Sequence, residues 1–271
     1  MNEVPARAVT EAEIRTYETD GIVLLKGLFD PDWVRFMQGA AEKSLSDPGE
    51  LHFEFAQERK DPGRVFFETF SWLHNTDCST FVHRSPAAAI AGAIMRSAKI
   101  NIFFDQWLIK EPGTPTQTPW HHDLTFWPVD GTQICTLWLA LDPVTVRTGA
   151  VEYVAGSHRW GKRFKARSFS GVDRYGEDLP DVPDIEAMRD QLTLVQHELE
   201  AGDCTVHHGL TVHGSPGNFS ENTRRRAYVT RWAGDDAIYH PRPNIQKIPR
   251  EPGIPAGAPL DCELWPVVWR R

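Results

Sequence analysis

From Lys99 onward the sequence alternates with a period of two, and this change of rhythm limits the folds open to the chain more than any other feature. Residues 99–110, 132–141, 150–154, 204–212 and 226–232 each read as strands, with glycine and proline turns between them. Before Lys99 the rhythm is mostly helical. Thr10-Glu11-Ala12-Glu13 reads as a capping box opening a helix to about Tyr17, and Gly21 to Leu25 then reads as a buried strand. Asp30 is an N-cap followed by Pro31, with Val34, Met37, Ala41 and Leu45 at helical spacing until Asp47-Pro48-Gly49. Ser85-Pro86 starts an Ala-rich helix ending near Arg96. Helices gathered before a run of strands predict an α+β fold. Its core would be a double-stranded β-helix, a cupin-like jelly roll, with N-terminal helices packed on one sheet and a site in the open mouth.

The 271 residues are expected to form a single domain, 1–271, with its core at about 10–235. Two segments fit that core poorly. Residues 162–190, rich in charge with Gly171 and Gly176, read as a lid, and 235–271 is a C-terminal segment whose first part is rich in proline. A net charge of −8 repels nucleic acid and anionic membrane, so neither is an expected partner. No apolar run approaches the ~20 residues of a membrane helix. Cys78, Cys135, Cys204 and Cys262 are scattered without a C-x-x-C pair, which fits a reducing cytoplasm better than a disulfide framework.

The chemistry is concentrated in Trp120-His121-His122-Asp123. If that segment is extended, His121 and Asp123 share one face, where an imidazole and a carboxylate can bind one metal ion, and His122 points the other way as a substrate-side or supporting group. A third ligand is sought downstream among His207, His208 and His213; alternation cannot choose, and His213 is favoured because Gly214-Ser215-Pro216-Gly217-Asn218 begins a turn after it. Two histidines and one carboxylate form the facial triad that leaves positions open on iron(II). Arg224-Arg225-Arg226 follows, and a guanidinium there would fork onto the carboxylate of an acidic co-substrate, with Arg231 a weaker candidate.

With Lys110-Glu111-Pro112-Gly113, Thr118 to Asp123, Trp138, Leu141-Asp142, Gly149-Ala150, Gly156-Ser157-His158, His213-Gly214-Ser215, Asn218 and Arg225-Arg226-Ala227 in this order, the chain resembles the phytanoyl-CoA dioxygenase (PhyH-like) family over roughly 10–235. The resemblance implies an Fe(II)- and 2-oxoglutarate-dependent dioxygenase. It would use O2 to hydroxylate an unactivated C–H bond of a small organic substrate, with succinate and CO2 as co-products. It further implies that His121, Asp123 and His213 bind Fe(2+), that Arg225 holds the far carboxylate of 2-oxoglutarate, and that Gln106, Trp138 and Ser215 contact the same molecule. His158 corresponds to a structural turn. The spacing from the distal histidine to the arginines is slightly wider than in some relatives, which leaves Arg224 a rival to Arg225. Related halogenases replace the carboxylate of the triad with a small residue, so Asp123 favours hydroxylation, although desaturation or cyclisation would use the same oxidant.

A zinc-dependent hydrolase would accept the same three ligands, and a non-catalytic metal-binding jelly roll would keep the fold without turnover. The arginines behind the metal speak against the hydrolase. The expected substrate is a natural product, acyl or acyl-CoA compound. Phe53, Phe55, Phe66, Phe67, Trp72, Trp107 and Trp127 are candidates for an apolar pocket, and Lys162, Arg163, Lys165 and Arg167 for a phosphate-binding patch.

Overall fold

A computed structural model of the chain describes residues 1–55, 63–166, 178–243 and 245–271. The capping box forms reciprocally: Thr10 Oγ1 accepts from the Glu13 N–H, and the Glu13 carboxylate accepts from the Thr10 N–H, opening α1 (Glu11–Asp20). Such a cap contributes about 1 kcal/mol. Gly21 ends α1 at φ 74, and a Cβ there would lie 2.3 Å from His158 Nδ1, so this turn requires glycine. After β1 (Ile22–Leu25), Asp30 accepts from the Asp32 N–H and Pro31 begins α2 (Pro31–Ser46) as the sequence predicts. Two further helices are α3 (Thr76–Arg84), capped by Asn75, and α4 (Ala87–Ile94).

The remaining strands are β2 (His52–Phe55), β3 (Val65–Thr69), β4 (Lys99–Lys110), β5 (Thr118–His121), β6 (Val129–Asp130), β7 (Ile134–Ala140) and β8 (Glu152–Val154). They continue with β9 (Leu194–Gln196), β10 (Cys204–His208), β11 (His213–Ser215), β12 (Arg225–Ala233), β13 (Ile238–Tyr239) and β14 (Val267–Arg270). The larger sheet runs β1-β10-β7-β12-β4-β3-β2, with β14 also paired to β4; the smaller runs β5-β11-β8-β9. All these pairings are antiparallel, and the two sheets form the expected jelly roll.

The helices cover the outer face of the larger sheet. Trp33, Met37, Phe81 and Ile90 from the helices pack with Trp107, Tyr228 and Trp232 from the sheet, all essentially buried. Each such side chain contributes roughly 1.5–3 kcal/mol by leaving water. The alternating residues Arg225, Ala227, Val229 and Arg231 of β12 then face inward. On β4 the alternation changes phase, because the register with β12 skips Phe103: Arg231 pairs with Phe104 and Trp232 with Ile102. The bulge lets Ile100 and Ile102 share the helix-side core with Trp107 and Ile109, while Gln106, Leu108 and Lys110 turn inward.

Several expectations are corrected. The first third supplies β2 and β3 as well as helices; β3 is buried on both faces and so shows no alternation to read. The run at 204–212 is not one strand. It stops at His208, turns through Gly209 to Thr211 with the Thr211 N–H donating to the His208 carbonyl, and re-enters at His213 in the other sheet. The C-terminal segment, expected to fit the core poorly, packs into it: Tyr239, Leu260, Leu264 and Trp265 are buried against Phe103, Phe104 and Trp127. Of the lid at 162–190, residues 167–177 lie outside the described residues. Among the described residues no helix is long and apolar enough to cross a membrane.

Candidate active site

A cavity of about 820 Å³ lies between the sheets and gathers the side chains singled out above. His121 ends β5, and its register partner on β11 is His213. Asp123 reaches the same place differently from the expected strand alternation: it lies past the end of β5 at φ −71, ψ −40, heading the 3-10 turn Leu124–Phe126. One ligand atom from each of His121, Asp123 and His213 falls within 4.8 Å of the others. Both imidazoles are oriented by backbone. Nδ1 of His121 donates to the Pro119 carbonyl at 2.8 Å and Nδ1 of His213 to the Thr211 carbonyl at 2.9 Å, which leaves each Nε2 lone pair for a ligand.

Burial, with the neighbouring His121 and His207, pushes the His213 imidazolium well below the usual histidine range, so the ring is neutral. Burial alone would raise the Asp123 carboxyl; the adjacent His121 ring, the hydrogen bond with His207 and the nearby Arg231 charge outweigh it and hold the group well below the usual carboxylate range. Two imidazoles and one carboxylate, oriented before any metal arrives, fit a divalent ion with open positions. His207 is the residue that sequence reasoning left undecided. It is buried on β10, with Nε2 3.3 Å from Asp123 Oδ2, and Thr136 Oγ1 donates to the same oxygen at 2.8 Å. His208 points to the other side of β10, toward His158 and Tyr17.

His122 does point away from its neighbours, but it is not on the substrate side. It is buried, its Nε2 accepts from the Phe164 N–H at 2.8 Å, and it anchors the segment leading into the 162–190 region. Burial drives its pKa down to about 3, consistent with a neutral acceptor. His158 lies in the turn Ser157–Arg159 with Nε2 3.2 Å from the Glu18 carbonyl, a structural position.

The three consecutive arginines separate cleanly. Arg224 pairs with Glu111 and Glu42, and Arg226 forks onto Asp142 and also reaches Glu42. Arg225 turns into the cavity, buried, with its guanidinium carbon 5.4 Å from the Trp138 ring centre and Nε without a partner among the described residues. Burial lowers its pKa to about 10, so it stays charged at neutral pH. Beside it stands Lys110, its register partner, whose buried Nζ donates to Ser215 Oγ at 3.0 Å and to the Pro216 carbonyl at 2.6 Å. The alternation of β4 that aligned Gln106 with Lys110 was the signal for this second cation. Trp138, Ser215 and Gln106 all line the cavity; Gln106 Oε1 accepts from Arg231 Nη2 at 2.7 Å. Of the aromatic candidates, Phe53, Phe67 and Trp127 line the cavity, whereas Phe66, Trp72 and Trp107 belong to the helix-side core. The side chain of Phe55 lies outside the described residues.

Fold and site define a metal-dependent oxygenase of the jelly-roll class. Residues 17–227 match the phytanoyl-CoA dioxygenase (PhyH) family, and the chain belongs to it. Dioxygenase FrzG of Cladobotryum sp is 24% identical over 247 residues, covering 83% of this chain and 75% of FrzG. Ectoine dioxygenase of Bordetella parapertussis is 21% identical over 270 residues, 94% of this chain and 87% of that enzyme. Among solved structures, the non-haem α-ketoglutarate-dependent carbocyclase SnoK from nogalamycin biosynthesis superposes with a TM-score of 0.79 at 25% identity, covering 99% of this chain and 100% of SnoK. The chain is accordingly an iron- and 2-oxoglutarate-dependent dioxygenase.

Proposed function

We propose that this enzyme hydroxylates an unactivated C–H bond of a small organic substrate, with His121, Asp123 and His213 as the iron ligands. The convergence of those three side chains within 4.8 Å, beside a buried arginine whose Nε has no hydrogen-bond partner among the described residues, carries the reading. In this assignment Arg225 forks onto the far carboxylate of 2-oxoglutarate, Lys110 and Ser215 share that carboxylate, Trp138 walls the same end, and Gln106 faces the co-substrate from β4. Iron(II), when bound with 2-oxoglutarate and O2, supplies the oxidising chemistry, and the co-substrate leaves as succinate and CO2. The chain's part is to orient and exclude. The backbone carbonyls hold both imidazoles in one tautomer, His207 and Thr136 hold one carboxylate oxygen of Asp123, and the buried walls keep water from the reacting carbon.

SnoK is titled a carbocyclase, so ring closure is the second reading that the same site supports. A CoA thioester is less well served. Arg163 of the basic run pairs with Asp130, and Arg167 lies outside the described residues. A natural product or a free acyl compound is therefore the preferred substrate. We take residues 1–271 as one domain working in a reducing cytoplasm, in keeping with its free cysteines. Anaerobic addition of iron(II) and 2-oxoglutarate should give the weak visible charge-transfer band of the chelate, and admission of O2 should release succinate. A protein that gave neither, yet bound zinc and cleaved esters, would be the hydrolase.

A further inference from the structure

Arg231 lies on the same inward face of β12 as Arg225, six positions along. At about 3.3 Å per residue their Cα atoms stand roughly 20 Å apart. The Arg231 guanidinium carbon sits 4.4 Å from the Phe104 ring centre and 5.5 Å from that of Trp127. Its Nη2 donates to Gln106, but Nε and Nη1 have no partner among the described residues, although the side chain is buried. Each unmet buried donor costs on the order of 1–3 kcal/mol, and more for a charged group. The place calls for an acceptor.

Charge identifies what kind. Among the described residues, the buried charged groups lining the cavity are Lys110, Arg225 and Arg231 against Asp123, while Glu50 and Lys247, of opposite sign, are exposed at its mouth. A divalent metal ion and a dianionic co-substrate cancel each other, so the surplus of buried cations remains. Arg231 pairs in register with Thr136, which holds Asp123, and this puts Arg231 at the metal-ligand end of the cavity. The wall between the two arginines is apolar: Val229, Leu108 and Phe67 line it.

We propose that Arg231, with Gln106 beside it, anchors the organic substrate through a carboxylate, and that the substrate class is a carboxylic acid with an apolar body. This rests on the assignment of Lys110 and Arg225 to 2-oxoglutarate. The metal-side carboxylate of 2-oxoglutarate is the rival acceptor, and it would show itself as loss of 2-oxoglutarate binding in Arg231→Leu.

The test titrates the anaerobic iron(II) protein, saturated with 2-oxoglutarate, with 4-phenylbutyrate and with its uncharged amide, by calorimetry. The acid should bind wild type at least tenfold more tightly than the amide, without weakening as 2-oxoglutarate is raised. Arg231→Leu should erase that preference and Arg231→Lys restore part of it. Gln106→Glu keeps the side-chain shape and sets an internal carboxylate against the guanidinium, so on protein whose charge-transfer band shows 2-oxoglutarate still bound it should erase the preference even if Arg231→Leu does not fold. Equal binding of acid and amide to wild type, or a preference that survives both variants, overturns the assignment. So does an Arg231→Leu protein that loses 2-oxoglutarate and keeps the acid preference. The charge-transfer band, read before the probe is added, separates the two levels: its absence sinks the co-substrate reading, and its presence without acid preference sinks only the role of Arg231.

Discussion

Asp123 Oδ2 is tied to His207 Nε2 at 3.3 Å while Thr136 Oγ1 donates to the same oxygen at 2.8 Å, so only the other carboxylate oxygen faces His121. This fixes which oxygen is offered to a metal. Loss of an outer partner of a metal ligand typically weakens metal binding about 10–100-fold. His207→Phe and Thr136→Val should each lower iron(II) affinity within that range, measured by anaerobic titration. Unchanged affinity in both would mean that the orientation of Asp123 is set elsewhere.

Asp123→Ala removes the carboxylate of the triad and with it a negative charge that imidazole ligands do not supply. Succinate formation coupled to substrate should be lost altogether. Wild-type turnover in this variant would take Asp123 out of the ligand set.

Arg225→Ala should chiefly raise the apparent KM for 2-oxoglutarate. A charge-assisted bond of roughly 1.5–3 kcal/mol corresponds to a tenfold to hundredfold change. Arg224→Ala and Arg226→Ala break pairs with Glu42, Glu111 and Asp142 outside the cavity and should leave that KM essentially unchanged, since neither arginine lines the cavity. If Arg224→Ala carried the defect instead, the anchor would lie outside the cavity.

The triad and the arginine cluster were legible because coordination and bidentate pairing demand particular side chains, whatever the backbone between them does. The backbone was legible only where one face met water or helix and the other met the cavity. β4 obeys that rule on either side of Phe103, yet no residue there announces the bulge that shifts its phase. Lys110 was passed over for a related reason: a lysine in a strand usually ends in solvent, and only the pairing with Arg225 and the reach to Ser215 explain its burial. Asp123 lies beside His121 as expected, but a turn and not strand alternation delivers it. Alternation could not separate His207 from His213, and only the turn after His213 favoured it; the break after His208 sends the two to different sheets.

Burial first, and then the Arg225 charge, push the Lys110 ammonium well below the ordinary lysine range. A bound carboxylate favours the charged form, so above the depressed value binding of 2-oxoglutarate must take up a proton. Affinity should then fall as pH rises, by at most about tenfold per unit, beginning below the ordinary lysine pKa. Calorimetry in buffers of differing ionisation enthalpy measures that proton directly. Lys110→Met should bind more weakly and lose the uptake; a wild type with no proton uptake at any alkaline pH would show that Lys110 is charged before the co-substrate arrives.

On the helix-facing side of β4, burial raises the Asp105 carboxyl to about 7, despite hydrogen bonds from Tyr228 at 2.6 Å and the Trp72 N–H at 3.0 Å. In the unfolded chain the same group titrates near ~3.9. Between those values the folded state keeps a proton that the unfolded state releases. Stability from this residue is therefore full below the unfolded value, declines as pH rises at up to about 1.4 kcal/mol per unit, and levels off above about pH 7. The buried neutral histidines act in the opposite sense, losing stability as pH falls below the ordinary histidine range, so the wild-type curve alone does not isolate Asp105. Asp105→Asn keeps an acceptor for Tyr228 and Trp72 but cannot titrate. The difference in unfolding free energy, wild type minus variant, should fall by at least about 1 kcal/mol between pH 5 and pH 7.5. Denaturant titrations that give parallel curves over that range would mean that Asp105 is ionised in the fold throughout, and that its burial is compensated by a charge the present contacts do not provide.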